Sequence, residues 1–365
     1  MASNHEFIAP SERAEKAVSQ LSNFKKRFDL ALLEFFAQEI EQARTLRPEL
    51  ANFLRVGAEF AAQGGKRLRP AFLFCGYKAA GGMDDEAAIH SSISVELVHA
   101  GALIHDDIMD HSDLRRGKAT VHKVLASQLG DEQVGNSVAI IAGDTIFALA
   151  GKSLSQFPDS GKVVSARQLL DEMCLEINFG QCLDVLGNKM DTLERDWIMK
   201  VMEFKTAGYT VEKPLLIGAL LGGASPELLD SLSKYGKPLG IAFQIQDDIL
   251  GMFGDEEKVG KPIDSDLKES KKTLLVLETI EKLNQEGRVE ELERFRGVLG
   301  NPDLIQDDYR WVQNLMVETG ALASSRDLAV TLISKAKTAI EDVQMEQESK
   351  DYLLGIADFM LQREY

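Results

Sequence analysis

The sequence predicts an all-α fold, and three observations support this prediction. Apolar residues recur at helical spacing through most of the 365 residues. No convincing β-strand is found. Only nine prolines occur, and glycine-rich stretches such as AAGGMDD and LLGGASPE fall between the periodic segments, where helix breakers belong. We therefore expect ten or more helices joined by short turns.

Five segments, taken in chain order, justify the helical assignment. Each places apolar residues on one face, or on nearly all faces, at a period of 3.6 residues, which is typical of amphipathic or buried helices. They are FDLALLEFFAQEIEQA (28–43), SSISVELVHAGALIHDDIMD (91–110), VAIIAGDTIFALAGKSL (138–154), ELLDSLSKYGKPLGIAFQIQDDIL (227–250) and DLAVTLISKAKTAIEDV (327–343).

The chain shows no low-complexity linker that would divide it into domains. Its 44% hydrophobic content is sufficient for a sizeable core. We expect a loose N-terminal segment over residues 1–20 and a single all-α domain over residues 21–365.

Charge and cysteine content narrow the functional classes. The formal net charge of −17, from 41 basic and 58 acidic residues, disfavours nucleic-acid binding, because it repels phosphate backbones. Cysteines at 75, 174 and 182 have no metal-ligand or disulfide-framework spacing, which fits a reduced, cytoplasmic protein. The sequence shows neither a secretory signal pattern nor an uninterrupted apolar run of about 18 residues, so no transmembrane segment is expected.

A first acidic motif lies in LIHDDIMDHSDLRRGK (103–118). On a helix, Asp106 and Asp110 share a face and repel each other. A solvated helix end would tolerate such a pair, but the apolar residues just before it predict a buried helix, where uncompensated charge is costly. Magnesium is typically held by one or two carboxylates together with substrate phosphates. The motif therefore indicates a magnesium site that binds a phosphorylated substrate.

A second acidic motif, QIQDDIL (244–250), repeats this pattern. Asp247 and Asp248 end an apolar helical segment, and Gln244 lies one turn before Asp248. Either motif alone is compatible with a structural role, but two acidic faces on opposing helices would be frustrated without cations between them. We expect magnesium ions that bridge the two motifs through a diphosphate.

These motifs together resemble the trans-isoprenyl diphosphate synthases, also called polyprenyl synthetases, and especially the bacterial geranylgeranyl diphosphate synthases. The resemblance spans residues 25–365 and rests on GGKRLRP, ELVHAGALIHDDIMDHSDLRRGK, GQCLDV, FKTAGYT and GIAFQIQDDILGMFGDEEKVGKP, in that order. It implies an isoprenoid synthase helical barrel with a deep central cavity and a homodimer. It also implies the condensation of isopentenyl diphosphate with an allylic diphosphate, using three Mg²⁺ ions per active site.

The resemblance assigns roles to the acidic residues. In the first motif, Asp106 and Asp110 bind Mg²⁺ directly, and Asp107 is the third aspartate of the motif. In the second motif, Asp247 binds the remaining metal and Asp248 supports it.

It also implies two diphosphate sites. The isopentenyl diphosphate site comprises Lys66, Arg69, His99 and Arg116. The allylic diphosphate site comprises Arg115, Lys205, Thr206, Gln244 and Lys261, of which Lys205, Thr206 and Gln244 also place polar atoms near the developing carbocation. Gln181 and Asp184 match a helix that lines the same cavity.

Two features bear on what the enzyme would make. Gly251 stands where many family members have a third aspartate, so one metal is expected to be held more loosely. The residues before the first motif, Val95, Val98, Gly101 and Ala102, mark successive depths of the expected cavity. The small side chains at 101 and 102 predict a twenty-carbon product, although close helix packing would also explain Gly101. A longer product and the fifteen-carbon farnesyl product remain alternatives.

Two other functions fit parts of the pattern. A class I terpene cyclase shares the fold and the first acidic motif, but it does not need the basic motifs GGKRLRP and LRRG. A non-catalytic subunit of a heteromeric synthase typically loses one acidic motif, whereas this chain keeps both.

Overall fold

A computed structural model describes residues 11–190, 194–254 and 265–361, and these residues are almost entirely helical. All five segments expected to be helical are confirmed as helices, although 91–110 and 327–343 run one and two residues past the helix ends at Met109 and Glu341. In chain order the helices are α1 (Glu12–Leu46), α2 (Pro48–Ala62), α3 (Leu68–Ala79), α4 (Asp85–Met109), α5 (Val121–Leu129), α6 (Glu132–Leu154), α7 (Ser160–Gly187), α8 (Arg195–Met202), the π-helix π1 (Glu203–Glu212), α9 (Lys213–Gly222), α10 (Pro226–Phe253), α11 (Ser265–Lys268), α12 (Leu274–Glu286), α13 (Val289–Val298), α14 (Gln306–Glu318), α15 (Ala321–Glu341) and α16 (Gln347–Leu361).

Side-chain caps fix several helix starts. The Asp84 carboxylate accepts a hydrogen bond from the Ala87 amide at the start of α4, and Asp131 does the same for Val134 at the start of α6. Such caps satisfy amide groups that have no partner within the helix. The expected breaker at LLGGASPE ends α9, where Gly223 adopts a left-handed φ of 86°.

Two departures from the sequence expectations concern local structure. Residues 12–20, which were expected to be loose, form the first turns of α1, so that expectation is wrong for them; residues 1–10 lie outside the described residues. The helix extends this far because Ala14 and Ala17 are buried and α1 packs along α16. A short antiparallel hairpin, β1 (Leu114–Arg115) and β2 (Lys118–Ala119), also occurs just after the first acidic motif.

The core is built around α4, which packs extensively on α6 and also contacts α3. Along its length α4 buries apolar side chains such as Ile93, Leu97 and Ile104. Helices α3 and α9 approach so closely that a Cβ at Gly218 would lie 1.8 Å from the Leu73 carbonyl oxygen. Glycine is required there because any side chain would overlap the backbone of the neighbouring helix.

Among the described residues, two helices, α4 and α6, are long and apolar enough to cross a membrane by length and composition alone. In α4, 72% of the apolar window is buried inside the protein, which is typical of a core helix. The corresponding window of α6 is only 44% buried, so α6 presents apolar side chains on the surface of this chain.

The segment between α8 and α9 forms a π-helix rather than an α-helix. π-Helical turns are rare and occur frequently at functional sites. The π-helix π1 packs against both α7 and α10 and carries the FKTAGYT motif. It therefore lies beside the second acidic motif of α10.

Candidate active site

The first acidic motif lies at the C-terminal end of α4, which stops at Met109. Asp106 and Asp107 belong to the last turn, and Asp110 is the residue that caps it. The Asp107 side chain is 1% exposed, whereas that of Asp106 is 18% exposed. The spacing predicted from the sequence is therefore realised, with Asp107 facing inward.

Asp106 is surrounded by polar side chains from three other parts of the chain. The Gln181 amide of α7 donates to its Oδ1 at 3.0 Å, and Lys205 Nζ of π1 lies 3.5 Å from the same oxygen. The Arg115 guanidinium lies 3.3 Å from Asp106 Oδ2 and donates to Asp107 Oδ1 at 2.7 Å. Lys205 also pairs with Asp184 at 2.5 Å. The structure thus brings together residues that lie far apart in the sequence.

The second acidic motif lies near the C-terminal end of α10 and connects to π1 through a chain of hydrogen bonds. The Thr206 hydroxyl donates to the Gln244 amide oxygen, and the Gln244 amide nitrogen donates to Asp248 Oδ1 at 2.7 Å. Asp248 is buried, and its neighbour Asp247 is partly exposed. Asp247 also has polar interactions with its surroundings.

The electrostatics of both motifs favour bound cations. Burial raises the pKa of Asp107 to about 6, although Arg115 opposes the shift. Burial, with the nearby charge of Asp266, raises the pKa of Asp248 to about 8. Burial and then Asp106 raise the pKa of Asp110. The first motif also sits at a helix C-terminus, where the backbone dipoles carry partial negative charge. Positive charge between the motifs would therefore stabilise their ionised forms.

Lysines supply part of that positive charge. Burial disfavours the charge of Lys205, but Asp106 and Asp184 outweigh it and raise its pKa. Burial likewise opposes the charge of Lys271, and Asp266 is the first of the carboxylates that raise its pKa. Lys271 influences the pKa of Asp110 in the first motif as well as that of Asp248 in the second. The charge of one lysine therefore acts on both acidic motifs.

The donor set fits magnesium. Carboxylate oxygens are the ligands that this ion prefers, and Asp107 Oδ2 is a buried oxygen that has no hydrogen-bond partner among the described residues. Within those residues, no three acidic, histidine or cysteine side chains converge closely enough to enclose a metal by themselves. This arrangement suits ions that complete their coordination with water and substrate phosphates.

A second polar site lies between α2, α4 and the β1–β2 hairpin. Its lining includes His99, Arg115 and Arg116, together with Glu96 and the backbone of Gly64. Arg116 Nη1 donates to the Gly64 carbonyl oxygen at 2.8 Å. Burial, followed by the charges of four arginines, lowers the pKa of His99 well below its usual value, and its Nδ1 makes no hydrogen bond within the described structure. The site therefore combines a neutral imidazole with fixed positive charge.

The three basic side chains of the GGKRLRP segment have different surroundings. Arg69 lies 4.3 Å from the centre of the Tyr209 ring and donates to the Thr210 hydroxyl at 2.8 Å, and its charge contributes to the lowered pKa of His99. Lys66 lies 5.7 Å from the Phe359 ring centre. Arg67, in contrast, is buried and paired with acidic side chains of α1 and α4. Its guanidinium therefore belongs to the core.

The residues expected to measure product length lie on α4, where Val95 and Val98 belong to the hydrophobic core. Val95, Val98 and Gly101 are buried, and Ala102 is partly exposed. A Cβ at Gly101 would lie 3.0 Å from the Phe147 ring of α6. Such close contact matches the helix-packing alternative for Gly101.

Lys261, which was expected to contact the allylic diphosphate, lies outside the described residues. Sequence reasoning did not single out Tyr209, Thr210, Asp266 or Lys271, although each lies in or near this site. FKTAGYT already contained the first two, but nothing in the local pattern showed that they would meet Arg69.

The amino-acid sequence of this chain is similar to those of known proteins. The chain matches the Polyprenyl synthetase family over residues 51–301. It is 34% identical over 349 residues to the geranylgeranyl diphosphate synthase of Methanosarcina mazei, covering 95% of this chain and 98% of that protein. It is also 34% identical to the geranylfarnesyl diphosphate synthase of Aeropyrum pernix, covering 82% of this chain and 91% of that protein.

The same relationship appears in three dimensions. The structure superposes on a geranylgeranyl pyrophosphate synthase from Corynebacterium glutamicum, complexed with isoprenyl diphosphate and magnesium, with a TM-score of 0.87. That match has 29% sequence identity and covers 93% of this chain and 99% of the other. The predicted all-α isoprenoid synthase fold is therefore confirmed. Fold, motifs and sequence agree that this chain belongs to the polyprenyl synthetase family and is a polyprenyl diphosphate synthase.

Proposed function

We propose that the enzyme condenses isopentenyl diphosphate with dimethylallyl, geranyl or farnesyl diphosphate and makes mainly geranylgeranyl diphosphate. One observation carries this proposal: two acidic helix ends face cationic and amide side chains, with Lys205 beside Asp106 and the neighbouring Thr206 linked through Gln244 to Asp248. Such a site can hold a diphosphate with its cations. The twenty-carbon product agrees with the names of the similar enzymes from M. mazei and C. glutamicum.

In this proposal, Asp106, Asp110 and Asp247 bind Mg²⁺, with three ions per active site. Asp107 and Asp248 lie deeper and support these ligands. When bound, Mg²⁺ would neutralise the diphosphate and make it a better leaving group.

The allylic diphosphate would bind beside Asp106, where Arg115 and Lys205 already supply fixed positive charges. Lys261 is proposed to add a further contact. The allylic carbon–oxygen bond breaks, and its electron pair leaves with the diphosphate. The Thr206 hydroxyl and the Gln244 amide are held by hydrogen bonds, so they offer oriented dipoles to the resulting carbocation.

Isopentenyl diphosphate would bind at the second site, where Lys66, Arg69 and Arg116 provide positive charge and His99 a neutral ring. Its double bond attacks the allylic carbocation and forms the new carbon–carbon bond. A proton then leaves the adjacent carbon, and the released diphosphate is the proposed acceptor. The apolar lining of the cavity would exclude water that would quench the cation.

The product would extend along α4 past Ala102 and Gly101 towards Val98 and Val95. The contact of Gly101 with Phe147 means that α6 also limits this space. The similar A. pernix enzyme is named for a longer product, so a longer chain is the main alternative.

We also propose that the enzyme is a cytoplasmic homodimer. Helices α6 and α7 expose large apolar side chains, including Ile141 at 56% and Phe179 at 56%. In α7, residues 175, 179 and 186 follow helical spacing and form one stripe. A second copy of the chain would cover this surface, because apolar patches on monomers commonly mark interfaces.

One assay tests the central proposal. Purified protein would be supplied with Mg²⁺, isopentenyl diphosphate and each allylic primer in turn, and the products would be identified by mass spectrometry. We expect chain extension that ends mainly at twenty carbons and requires Mg²⁺. Release of diphosphate without extension would instead indicate a cyclase, and no release at all would indicate a non-catalytic subunit.

A further inference from the structure

The turn that precedes α3, formed by residues 63–67, has a constrained backbone. Gly64, Gly65 and Arg67 adopt left-handed φ values of 94°, 114° and 55°. Glycine adopts such values readily, whereas a residue with a side chain does so at a cost in free energy. Arg67 is also the last residue before α3, so its conformation sets the direction in which the chain enters that helix. An unfavourable conformation of this kind persists only where the surrounding structure holds it.

The side chain of Arg67 holds the turn through contacts with three helices. Its Nε donates to Asp29 Oδ1 of α1 at 2.8 Å. Its Nη1 donates to the Ala61 carbonyl oxygen of α2 at 3.0 Å and to the Glu96 carboxylate of α4. The side chain is only 1% exposed. Because a planar guanidinium binds its acceptors in a fixed geometry, the turn cannot rotate without breaking several hydrogen bonds at once.

Glu96, the acceptor on α4, also lines the second polar site, together with His99 and both hairpin arginines. It is the only acidic residue among the described residues that line this pocket. An unpaired carboxylate there would be costly to bury and would repel a diphosphate. The guanidinium of Arg67 lies against the carboxylate of Glu96 and offsets its charge.

The charges of this buried group balance. Lys25 Nζ lies 2.9 Å from Asp29 Oδ2, while Arg67 donates to the other oxygen of Asp29. Two cations, Lys25 and Arg67, therefore face two carboxylates, Asp29 and Glu96. Removal of Arg67 alone would leave the charge of Glu96 without this partner beside the pocket.

Arg67 also lies between two residues that the proposed function places against isopentenyl diphosphate. Lys66 precedes it in the turn, and Arg69 follows it in the first turn of α3. The turn packs against the β1–β2 hairpin as well, because a Cβ at Gly65 would lie 3.3 Å from Arg116 Nη1. A rotation of the turn would therefore move Lys66 and Arg69 relative to Arg116.

We propose that Arg67 is a positioning residue for isopentenyl diphosphate. It fixes the turn that carries Lys66 and leads into Arg69, and it neutralises Glu96 within the pocket. This inference rests on the proposed function, which names the ligand of the pocket. Arg67 itself does not touch the substrate, since its guanidinium is enclosed by α1, α2 and α4.

The test compares the binding of the two substrates by calorimetry in the presence of Mg²⁺. Each substrate is supplied without the other, so no condensation takes place. Arg67→Met removes the charge and the hydrogen bonds but keeps an unbranched side chain. We expect the Kd for isopentenyl diphosphate to rise about tenfold or more, as is typical when one partner of a buried charge pair is lost. The Kd for geranyl diphosphate should change less than about twofold, because Arg115 and Lys205 bind it from other elements.

Lys152→Met is the matched control. It also removes a cation from a buried carboxylate, since Lys152 Nζ lies 2.7 Å from Glu39 Oε1 and the Glu39 side chain is 9% exposed. That pair joins α6 to α1 and does not line the pocket. Both Kd values should stay within about twofold of the original protein.

Two further variants keep the test informative if Arg67→Met also perturbs folding, which circular dichroism would report. Arg67→Met/Glu96→Gln removes the unpaired carboxylate as well. It should bind isopentenyl diphosphate about threefold or more tightly than Arg67→Met, yet less tightly than the original protein, because the turn is still not held. Arg67→Lys keeps the charge, but one ammonium cannot reproduce the fork of hydrogen bonds, so its Kd should lie between those of Arg67→Met and the original protein.

The selective loss of one substrate is the decisive result. Equal weakening of both substrates by Arg67→Met would show a general structural role and overturn the inference. Unchanged binding of isopentenyl diphosphate in Arg67→Met would overturn it too, as would a double variant that binds no better than Arg67→Met.

A reference variant separates this inference from the proposed function. Arg69→Met should weaken the binding of isopentenyl diphosphate whether or not Arg67 takes part. If the original protein does not bind isopentenyl diphosphate, or if Arg69→Met changes nothing, the proposed function fails at this site. If Arg69→Met weakens binding and Arg67→Met does not, only the role of Arg67 fails.

Discussion

At the scale of single residues, the site contains buried polar groups, and their burial is energetically costly while no ligand is bound. Asp107 has a buried oxygen without a partner, and His99 has a ring nitrogen in the same state, among the described residues. Buried polar groups of this kind destabilise a fold unless something satisfies them. Arg115 pairs with Asp107 and lines the same pocket as His99, so a ligand bound at this arginine would lie close to both groups.

Asp106 should be essential for turnover. Asp106→Asn removes a proposed metal ligand, and we expect the rate of product formation to fall by about 100-fold or more, comparable to the loss of one group that stabilises a transition state. The rate would be measured by diphosphate release with saturating substrates, and circular dichroism would report the fold. Asp113→Asn is the control, since that side chain is 74% exposed and pairs with Lys123. Near-normal turnover in Asp106→Asn would contradict the metal assignment.

His99 should make stability depend on pH. Burial, then the charges of Arg69, Arg116, Arg115 and Arg67, depresses its pKa in the folded state, whereas the unfolded chain should titrate near 6.5. Below that pH the unfolded state binds one more proton at His99, so the contribution of this residue to the free energy of unfolding should fall as pH drops. Asp107 and Asp248 contribute in the opposite direction, because their raised pKa values make the folded state bind more protons. The slope approaches about 1.4 kcal/mol per pH unit for one proton.

The free energy of unfolding would be measured by urea denaturation between about pH 5 and pH 7.5. This interval includes pH values below the pKa of His99 in the unfolded chain. His99→Gln cannot take up the proton, so the difference in the free energy of unfolding between the original protein and this variant should shift in favour of the variant as pH drops, by up to about 1.4 kcal/mol per pH unit. Parallel profiles for the two proteins would show that His99 does not contribute to the dependence.

At the scale of elements, close helix packing fixes the scaffold that carries the site. Helices α3 and α9 meet at Gly76 and Gly218, and an added Cβ at either glycine would overlap a backbone oxygen of the other helix. Helix α9 continues directly from π1, so this contact also positions Lys205 and Thr206. The close pair therefore couples the core to the candidate active site.

Gly218→Ala should destabilise the protein. The new methyl group would lie 1.8 Å from the Leu73 carbonyl oxygen, so the helices must separate, at a cost of about 1–3 kcal/mol. Gly297→Ala is the matched control, because α13 leaves open space around that glycine and alanine favours helix by up to about 1 kcal/mol. Chemical denaturation would compare the two variants. Equal stability in both would show that α3 and α9 can relax without cost.

At the scale of the whole molecule, α6 and α7 expose an apolar face, which a second copy of the chain would cover in the proposed dimer. Its residues include Val134, Ile141, Leu175 and Phe179. The same two helices contribute Phe147 near Gly101 and Gln181 beside Asp106. Association through this face would therefore also stiffen one wall of the site.

A charge on this face should prevent dimer formation. Phe179→Glu places a carboxylate within the proposed interface, where burying it would be unfavourable. We expect sedimentation analysis to change from the mass of a dimer to that of a monomer. Val317→Glu on α14 is the control, since Val317 is also 56% exposed but lies away from α6 and α7. A dimer that persists in Phe179→Glu, or a monomeric original protein, would exclude this interface.

The sequence alone determined the features that depend on local spacing. A 3.6-residue apolar period predicted the helices, and the separation of Asp106 and Asp110 predicted a shared face, because both depend on the geometry of one helix. It also predicted the family through its ordered motifs. The expected loose N-terminal segment was wrong over residues 12–20, because burial against α16 stabilises that end of α1.

The tertiary structure decided which distant side chains meet. Nothing local distinguishes Arg67, which is buried with Asp29 and Glu96, from Arg69, which lies beside His99 and Tyr209. The contact of Asp266 with Gly251 likewise depends on how α11 folds back on α10. Such contacts depend on the packing of whole helices, and that packing is set by the complete core.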